Sequence, residues 1–141
     1  MRLSTKVRYG MRAMIELARQ AGDKPVMLRT IAERQGLSEK YLEQLFTHLR
    51  TAGLVKSERG ARGGYRLARS ADKITALDIY MALGGEAELI ECAEHPERCD
   101  RHGDCPTIGL WRELGEALRR ILAGKTLKEL AAAGRDAMYF I

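Results

Sequence analysis

"LRTIAERQGLSEKYLEQLFTHLRTAGLV", residues 28–55, decides the fold. Ile31 and the small Ala32 sit in a short helical segment that Gly36 breaks. Ser38 is a good N-cap for a second helix, and Leu37 before it can staple onto Leu42. The second helix then buries Leu42, Leu45, Phe46 and Leu49, an i, i+3, i+4, i+7 set. Two short helices joined through Gly-Leu-Ser are the pattern of a helix-turn-helix. Its second helix presents Glu39, Lys40, Glu43, Gln44, Thr47 and Arg50 on the opposite face, groups able to bond to base edges or phosphates.

Downstream, "LVKSERGARGGYRLAR", residues 54–69, alternates like two short strands around a glycine-rich turn. A hairpin directly after a helix-turn-helix is a wing. Arg59, Arg62 and Arg66 are expected at its tip and flank, where exposed guanidinium groups repel one another unless something anionic is near. Upstream, "STKVRYGMRAMIELARQAG" reads as a first helix capped by Ser4 or Thr5, with Val7, Met11, Met14, Ile15 and Ala18 on its buried face.

The charge distribution agrees. Residues 1–73 hold 16 basic and 7 acidic side chains, a net of +9, and residues 74–141 hold 8 and 12, a net of −4. A basic first half and an acidic second half suit a nucleic-acid-binding module joined to a part that stays off the phosphates. No apolar run is long enough for a membrane span, and the N-terminus lacks the apolar stretch of a signal peptide, so a cytoplasmic location is expected. A Gly-rich phosphate loop, an HExxH pattern and a Ser/His/Asp arrangement are all missing, which argues against an enzyme.

Beyond the wing, Thr75 opens another short helix, with Ile74 and Ile79 placed as a staple and Gly84 at its end. A longer helix is expected over residues 106–123, with Pro106 as its first residue. It carries Trp111, Leu114, Leu118 and Ile121 on a stripe narrow enough for a partner helix, so these four are the candidate dimerisation residues. A last short helix starts at a Thr126/Glu129 capping box.

All 3 cysteines lie in "ECAEHPERCDRHGDCP", residues 91–106. An odd number rules out a complete disulfide framework. The spacing of Cys92, Cys99 and Cys105 is too wide for a zinc ribbon and does not match plant-type ferredoxins. It suits a loop wrapped around a larger object, with Cys105 near a helix N-terminus and Arg98 and Arg101 offsetting anionic sulfur. Metal or cluster binding, reactive thiols and inert thiols stay open on the spacing alone.

"MRLSTKVRYGMRAM", "ERQGLSEKYLEQLFTHLRTAGLV", "RGARGGYRL", three cysteines and "LWRELGEAL", in this order, resemble the IscR-type winged-helix regulators of the Rrf family. The resemblance runs from Met1 to about Leu130. It implies a homodimeric repressor that binds double-stranded DNA at a palindromic operator. It also implies an iron–sulfur cluster at the cysteine loop, a [2Fe–2S] one ahead of a [4Fe–4S] one, with Cys92, Cys99 and Cys105 matching the family's three ligands. Ser38, Lys40, Tyr41 and Gln44 match its DNA-contacting positions and Arg59 its wing arginine. The family's fourth ligand is not matched. Where IscR-type members commonly carry a histidine after the last cysteine, this chain has Ile108; where others use an acid in the first helix, it has Arg8. Glu43, His95, His102 or an outside ligand remain open.

The expectation is thus a mainly α chain with a small β-hairpin wing: a winged helix-turn-helix domain over residues 1–83, a cysteine-containing cluster loop over 84–105, and a dimerisation helix and C-terminal helix over 106–141. The expected DNA-binding residues are Ser38, Lys40, Tyr41, Glu43, Gln44, Arg50, Arg59 and Arg62. The function expected is a transcription regulator sensing cluster status, iron, or redox or nitrosative signals. The alternative is a cluster-free winged-helix regulator acting by direct thiol oxidation or through a partner protein. A small redox carrier is a further rival, but it has no use for the basic wing.

Overall fold

The computed structural model of the chain describes residues 3–85, 91–101 and 103–134. Helices α1 (Thr5–Gln20), α2 (Leu28–Gln35) and α3 (Glu39–Thr51) lead into strands β1 (Val55–Glu58) and β2 (Gly64–Leu67). Helices α4 (Ala76–Ala82), α5 (Glu91–Glu94), α6 (Ile108–Ala123) and α7 (Leu127–Ala132) follow. The strands pair antiparallel, Val55 opposite Leu67 and Glu58 opposite Gly64. Val26 adds a bridge to the far side of β2, exchanging both backbone hydrogen bonds with Tyr65.

The caps explain the boundaries. Ser4, Ser38, Thr75 and Thr126 each accept a backbone N–H at the start of their helices, from Val7, Tyr41, Asp78 and Glu129. Asp78 and Glu129 complete capping boxes by accepting the cap residue's own N–H. Gly36 ends α2 at φ 64°, a left-handed conformation that glycine takes without a Cβ penalty. Leu37 N–H then reaches back to Ala32 O at 3.0 Å, which closes the turn of the helix-turn-helix.

The core lies around α1, which contacts α2, α3, α4, α7 and β2. Its buried face is wider than the sequence reading. Val7 and Met14 are buried as expected, but Gly10, Ala13, Glu16 and Leu17 are buried too, while Met11, Ile15 and Ala18 are half-covered. The reason is packing on two sides: α2 and α3 cover one flank, α4 and α7 the other. At Gly10 the approach of α4 is so close that a Cβ would stand 2.2 Å from Leu83 Cδ1.

The sequence reading also differs from the structure at α6. Helix α6 starts at Ile108 and not at Pro106, because Pro106 and Thr107 form a turn and Thr107 is the cap residue, at φ −101° and ψ −7°. The turn between α6 and α7 docks on the start of α4: Ala76 N–H bonds Lys125 O and Leu127 N–H bonds Ile74 O, both at 2.8 Å. Leu127 is fully enclosed in the same core as the winged elements. Arg19 of α1 donates to Ala131 O and Ala133 O, placing a cation at the C-terminus of α7. The last helix therefore packs on the winged module, although α6 separates them in sequence.

Leu127→Ala should lower unfolding free energy by about 2–5 kcal/mol in urea denaturation at fixed protein concentration, the usual cost of emptying a closed apolar site. A change below about 0.5 kcal/mol, typical of a surface substitution, would contradict the docking of α7.

Candidate nucleic-acid interface and cysteine loop

Helix α3 divides cleanly. Leu42, Leu45, Phe46 and Leu49 are buried and hold it against the core, while Ser38, Lys40, Glu43, Gln44, Thr47, His48 and Arg50 are exposed. Among the described residues the side chains of Lys40, Glu43 and Gln44 have no protein partner, so their hydrogen-bonding groups face solvent. Ser38 Oγ accepts Tyr41 N–H at 3.1 Å, which leaves its hydroxyl proton for an outside acceptor. Tyr41 is half-buried, its ring edge-on to Tyr9 of α1 at 6.3 Å. Arg50 donates to Ser57 Oγ of β1 at 3.4 Å, which ties the far end of α3 to the wing. Thr47 donates its hydroxyl to Glu43 O, so toward a ligand it can only accept.

The wing tip carries Arg59 and Arg62, both exposed. Arg66, expected with them, is turned away. Its guanidinium bonds Glu58 across the hairpin and the backbone oxygens of Gly22 and Asp23. It fastens the wing to the loop after α1, because the side chain opposite Lys56 on β2 meets that loop's carbonyls. His48 was missed by the sequence reading; its place on the exposed side of α3 was available from helical spacing.

The cysteine segment packs along α6. Cys92 lies in α5, Cys99 follows a 3₁₀ turn at Pro96–Arg98, and Cys105 stands three residues before α6. All three are half-buried and stand outside any disulfide. Arg112 of α6 donates to Ala93 O at 3.1 Å and anchors α5. Burial pushes the Cys92 thiol up, and the neighbouring Cys99 and Cys105 sulfurs push it further. Cys105 moves the other way. Its Sγ shares a 3.3 Å hydrogen bond with Thr107 Oγ1, and that bond, the amides of Thr107 and Ile108 and the charge of Arg101 favour its thiolate. Arg98, expected to offset sulfur charge, pairs with Glu91.

Three clustered thiols, one of them held toward thiolate, are donors suited to a soft metal or an iron–sulfur cluster. Among the described residues no three Cys, His, Asp or Glu side chains are placed to grip a single metal ion. The donor chemistry therefore fits, while the spacing is not that of a mononuclear site. Of the candidate fourth ligands, His95 sits 3.2 Å from Glu97 through Nδ1, Glu43 is exposed on α3, and His102 lies outside the described residues.

On α6 two apolar faces share one helix. Gly115 is buried, and Ile108, Trp111, Leu118 and Leu122 are half-buried on the side facing α4 and α5. Leu110, Leu114 and Ile121 are exposed, at 55%, 44% and 61%. With Ala117 they are spaced 4, 3 and 4, a coiled-coil interval. Of the four residues expected at a dimer seam, Leu114 and Ile121 face outward and Trp111 and Leu118 lean toward their own domain. Leu110 was not read as part of the seam.

Comparison with known proteins gives a consistent picture. A family model, Rrf2, described as an iron-dependent transcriptional regulator, matches residues 3–133. The chain is 46% identical over 132 residues to the HTH-type transcriptional regulator CymR of Bacillus subtilis, covering 94% of this chain and 91% of that one. The solved structure of that protein, titled the global cysteine regulator of B. subtilis, superposes with a TM-score of 0.79 at 42% identity, covering 94% of this chain and 97% of that one. The structure of T. potens IscR superposes with a TM-score of 0.78 at 40% identity, covering 97% and 90%.

The opposite shifts of the two thiols have a direct consequence. In reduced, metal-free protein near neutral pH, iodoacetamide should modify Cys105 faster than Cys92, because more of Cys105 is thiolate. Thr107→Ala should narrow the gap. Peptide mass spectrometry showing equal rates would contradict the local field around Cys105.

Proposed function

The chain belongs to the Rrf2 family of transcriptional regulators, and we propose that it reads a palindromic operator as a homodimer under control of its cysteine loop. Family membership makes it a DNA-binding regulator and not an enzyme. The observation that carries the finer reading is an exposed polar face on α3, with Lys40, Glu43 and Gln44 turned to solvent, together with a three-thiol loop braced on α6.

Base reading falls to the α3 face. Gln44 can pair with an adenine edge and Glu43 can accept from a cytosine amino group. Ser38, Lys40, Tyr41 and Arg50 suit phosphates, and Arg59 and Arg62 suit the minor groove or its backbone. A stripe of exposed Leu110, Leu114 and Ile121 with the half-buried Ala117 between them supports a second copy of the chain packed along α6. A two-fold dimer presents two α3 helices, and a palindrome is the matching DNA symmetry.

Cys92, Cys99 and Cys105 are the residues that would hold an iron–sulfur cluster, which when bound supplies a charge that depends on iron and redox state. This chain's own part is to orient the sulfurs: α5 is pinned by Arg112, and Cys105 is held toward thiolate by Thr107. A second reading is a cluster-free regulator responding to thiol oxidation or through a partner protein. It is favoured by the lack of a three-donor metal geometry among the described residues and by similarity to a protein titled a cysteine regulator.

Anaerobically purified protein should show visible absorbance with iron and sulfide, and Ser at any one of the three cysteines should remove it while the far-ultraviolet spectrum stays folded. Colourless protein that takes up no iron or sulfide on anaerobic reconstitution favours the thiol reading. Gln44→Ala should cost about 1–3 kcal/mol on the operator and little on random DNA; an equal loss on all sequences would remove Gln44 from base reading. Leu114→Glu should yield monomers by sedimentation velocity, and an unchanged dimer would remove this face of α6 from the interface.

A further inference from the structure

Among the described residues one charged side chain is buried: Glu16 of α1, at 6% exposure. An unpaired carboxylate in such a place is costly, so its partners are informative. Gln20 donates to its Oε1 at 2.6 Å, Gln35 donates to its Oε2 at 3.2 Å, and the largely exposed Arg34 guanidinium stands 3.4 Å away.

Gln35 is held from the other end as well. Arg12, one turn before Glu16 on α1, donates through Nε to Gln35 Oε1 and through a terminal nitrogen to Gln35 O, each at 2.9 Å. The Gln35 amide is thus clasped, oxygen by Arg12 and nitrogen by Glu16. Its backbone carbonyl, at the end of α2 where intrahelical donors run out, is capped by the same guanidinium. The Arg12 guanidinium also lies 5.5 Å from the Tyr9 ring centre, and Tyr9 meets Tyr41 in the first turn of α3.

Position gives this relay its meaning. Gln35 is the last residue of α2, and Gly36 after it carries the left-handed turn that sets the direction of α3. The polar edge of α1 therefore touches both sides of that turn. We infer that Arg12, Gln35 and Glu16 are positioning residues that fix the angle of α3 on α1, and so its register on the bases. Base contacts need hydrogen-bond geometry within a few tenths of an ångström, whereas long Lys and Arg side chains follow a phosphate through a small rotation. Loosening the relay should therefore weaken selective binding more than binding itself. The inference rests on the DNA-reading role of α3.

The test uses the full-length dimer and two duplexes: one selected by the wild-type protein from a random-sequence pool, and one scrambled. Gln35→Ala removes the clasp from a half-exposed site and is expected to stay folded. It should weaken the selected duplex about tenfold, as for one base contact drawn out of range, with scrambled DNA within about twofold. Glu16→Gln should act in the same direction. The exchange variant, Glu16→Gln with Gln35→Glu, reverses donor and acceptor and gives Arg12 a carboxylate, and it should regain most of the selectivity. An unchanged selected-to-scrambled ratio in Gln35→Ala, or a proportional fall on both duplexes that follows the folded fraction, overturns the inference. Wild-type protein that discriminates between no duplexes would instead overturn base reading by α3.

Discussion

The enclosure of α1 is the constraint on which the rest depends. A 16-residue helix with buried residues over about half of its circumference cannot stand at the edge of a domain. It must be surrounded, and each neighbour is specified by a local feature. Gly10 admits α4 to within contact of Leu83. Leu17 and Met14 meet the core under α3. Glu16 and Arg12 take the turn between α2 and α3. Arg19 takes the end of α7. Once α1 is enclosed, α3 has only its polar face left for solvent.

The same enclosure joins the cysteine loop to α3 through a chain of packed helices. Helix α6 is fixed at both ends: Arg112 holds α5 and its cysteine near one end, and the turn after α6 is hydrogen-bonded to the start of α4 at the other. Helix α4 in turn packs on α1 and α3. Under the proposed function, a displacement of the loop would be passed to elements that share a close-packed core with α3. Two copies meeting along α6 would convert that displacement into a change in the spacing of two recognition helices, a quantity to which operator binding is steeply sensitive.

Much of this was legible in the sequence, for local reasons. Caps and the Gly36 turn are encoded within four or five residues, so Ser38, Thr75, and Thr126 with Glu129 could be read directly. What depended on distant partners was not. Glu16 carries no local signal of burial, because its partner Gln35 lies nineteen residues on. Arg66 looked like a wing-tip cation until the carbonyls of Gly22 and Asp23 met it. On α6 two apolar stripes run side by side, and a periodicity search cannot tell which one faces home. Gly115 settles the matter, since a residue without a side chain is where another element comes close. The helix start after Cys105 and Arg101 beside it announced the thiolate bias of that cysteine, whereas the desolvation that raises Cys92 depended on packing.

The proposed function has the state of the cysteine loop set DNA affinity. The most direct measurement is the dissociation constant for a wild-type-selected duplex, taken on anaerobically purified protein and on the same protein after chelation and reduction. Its control is the triple variant with Ser at Cys92, Cys99 and Cys105. The account predicts a difference of about tenfold between the two wild-type states, within the usual range of allosteric coupling, and none in the variant. Equal affinities in both wild-type states would contradict it.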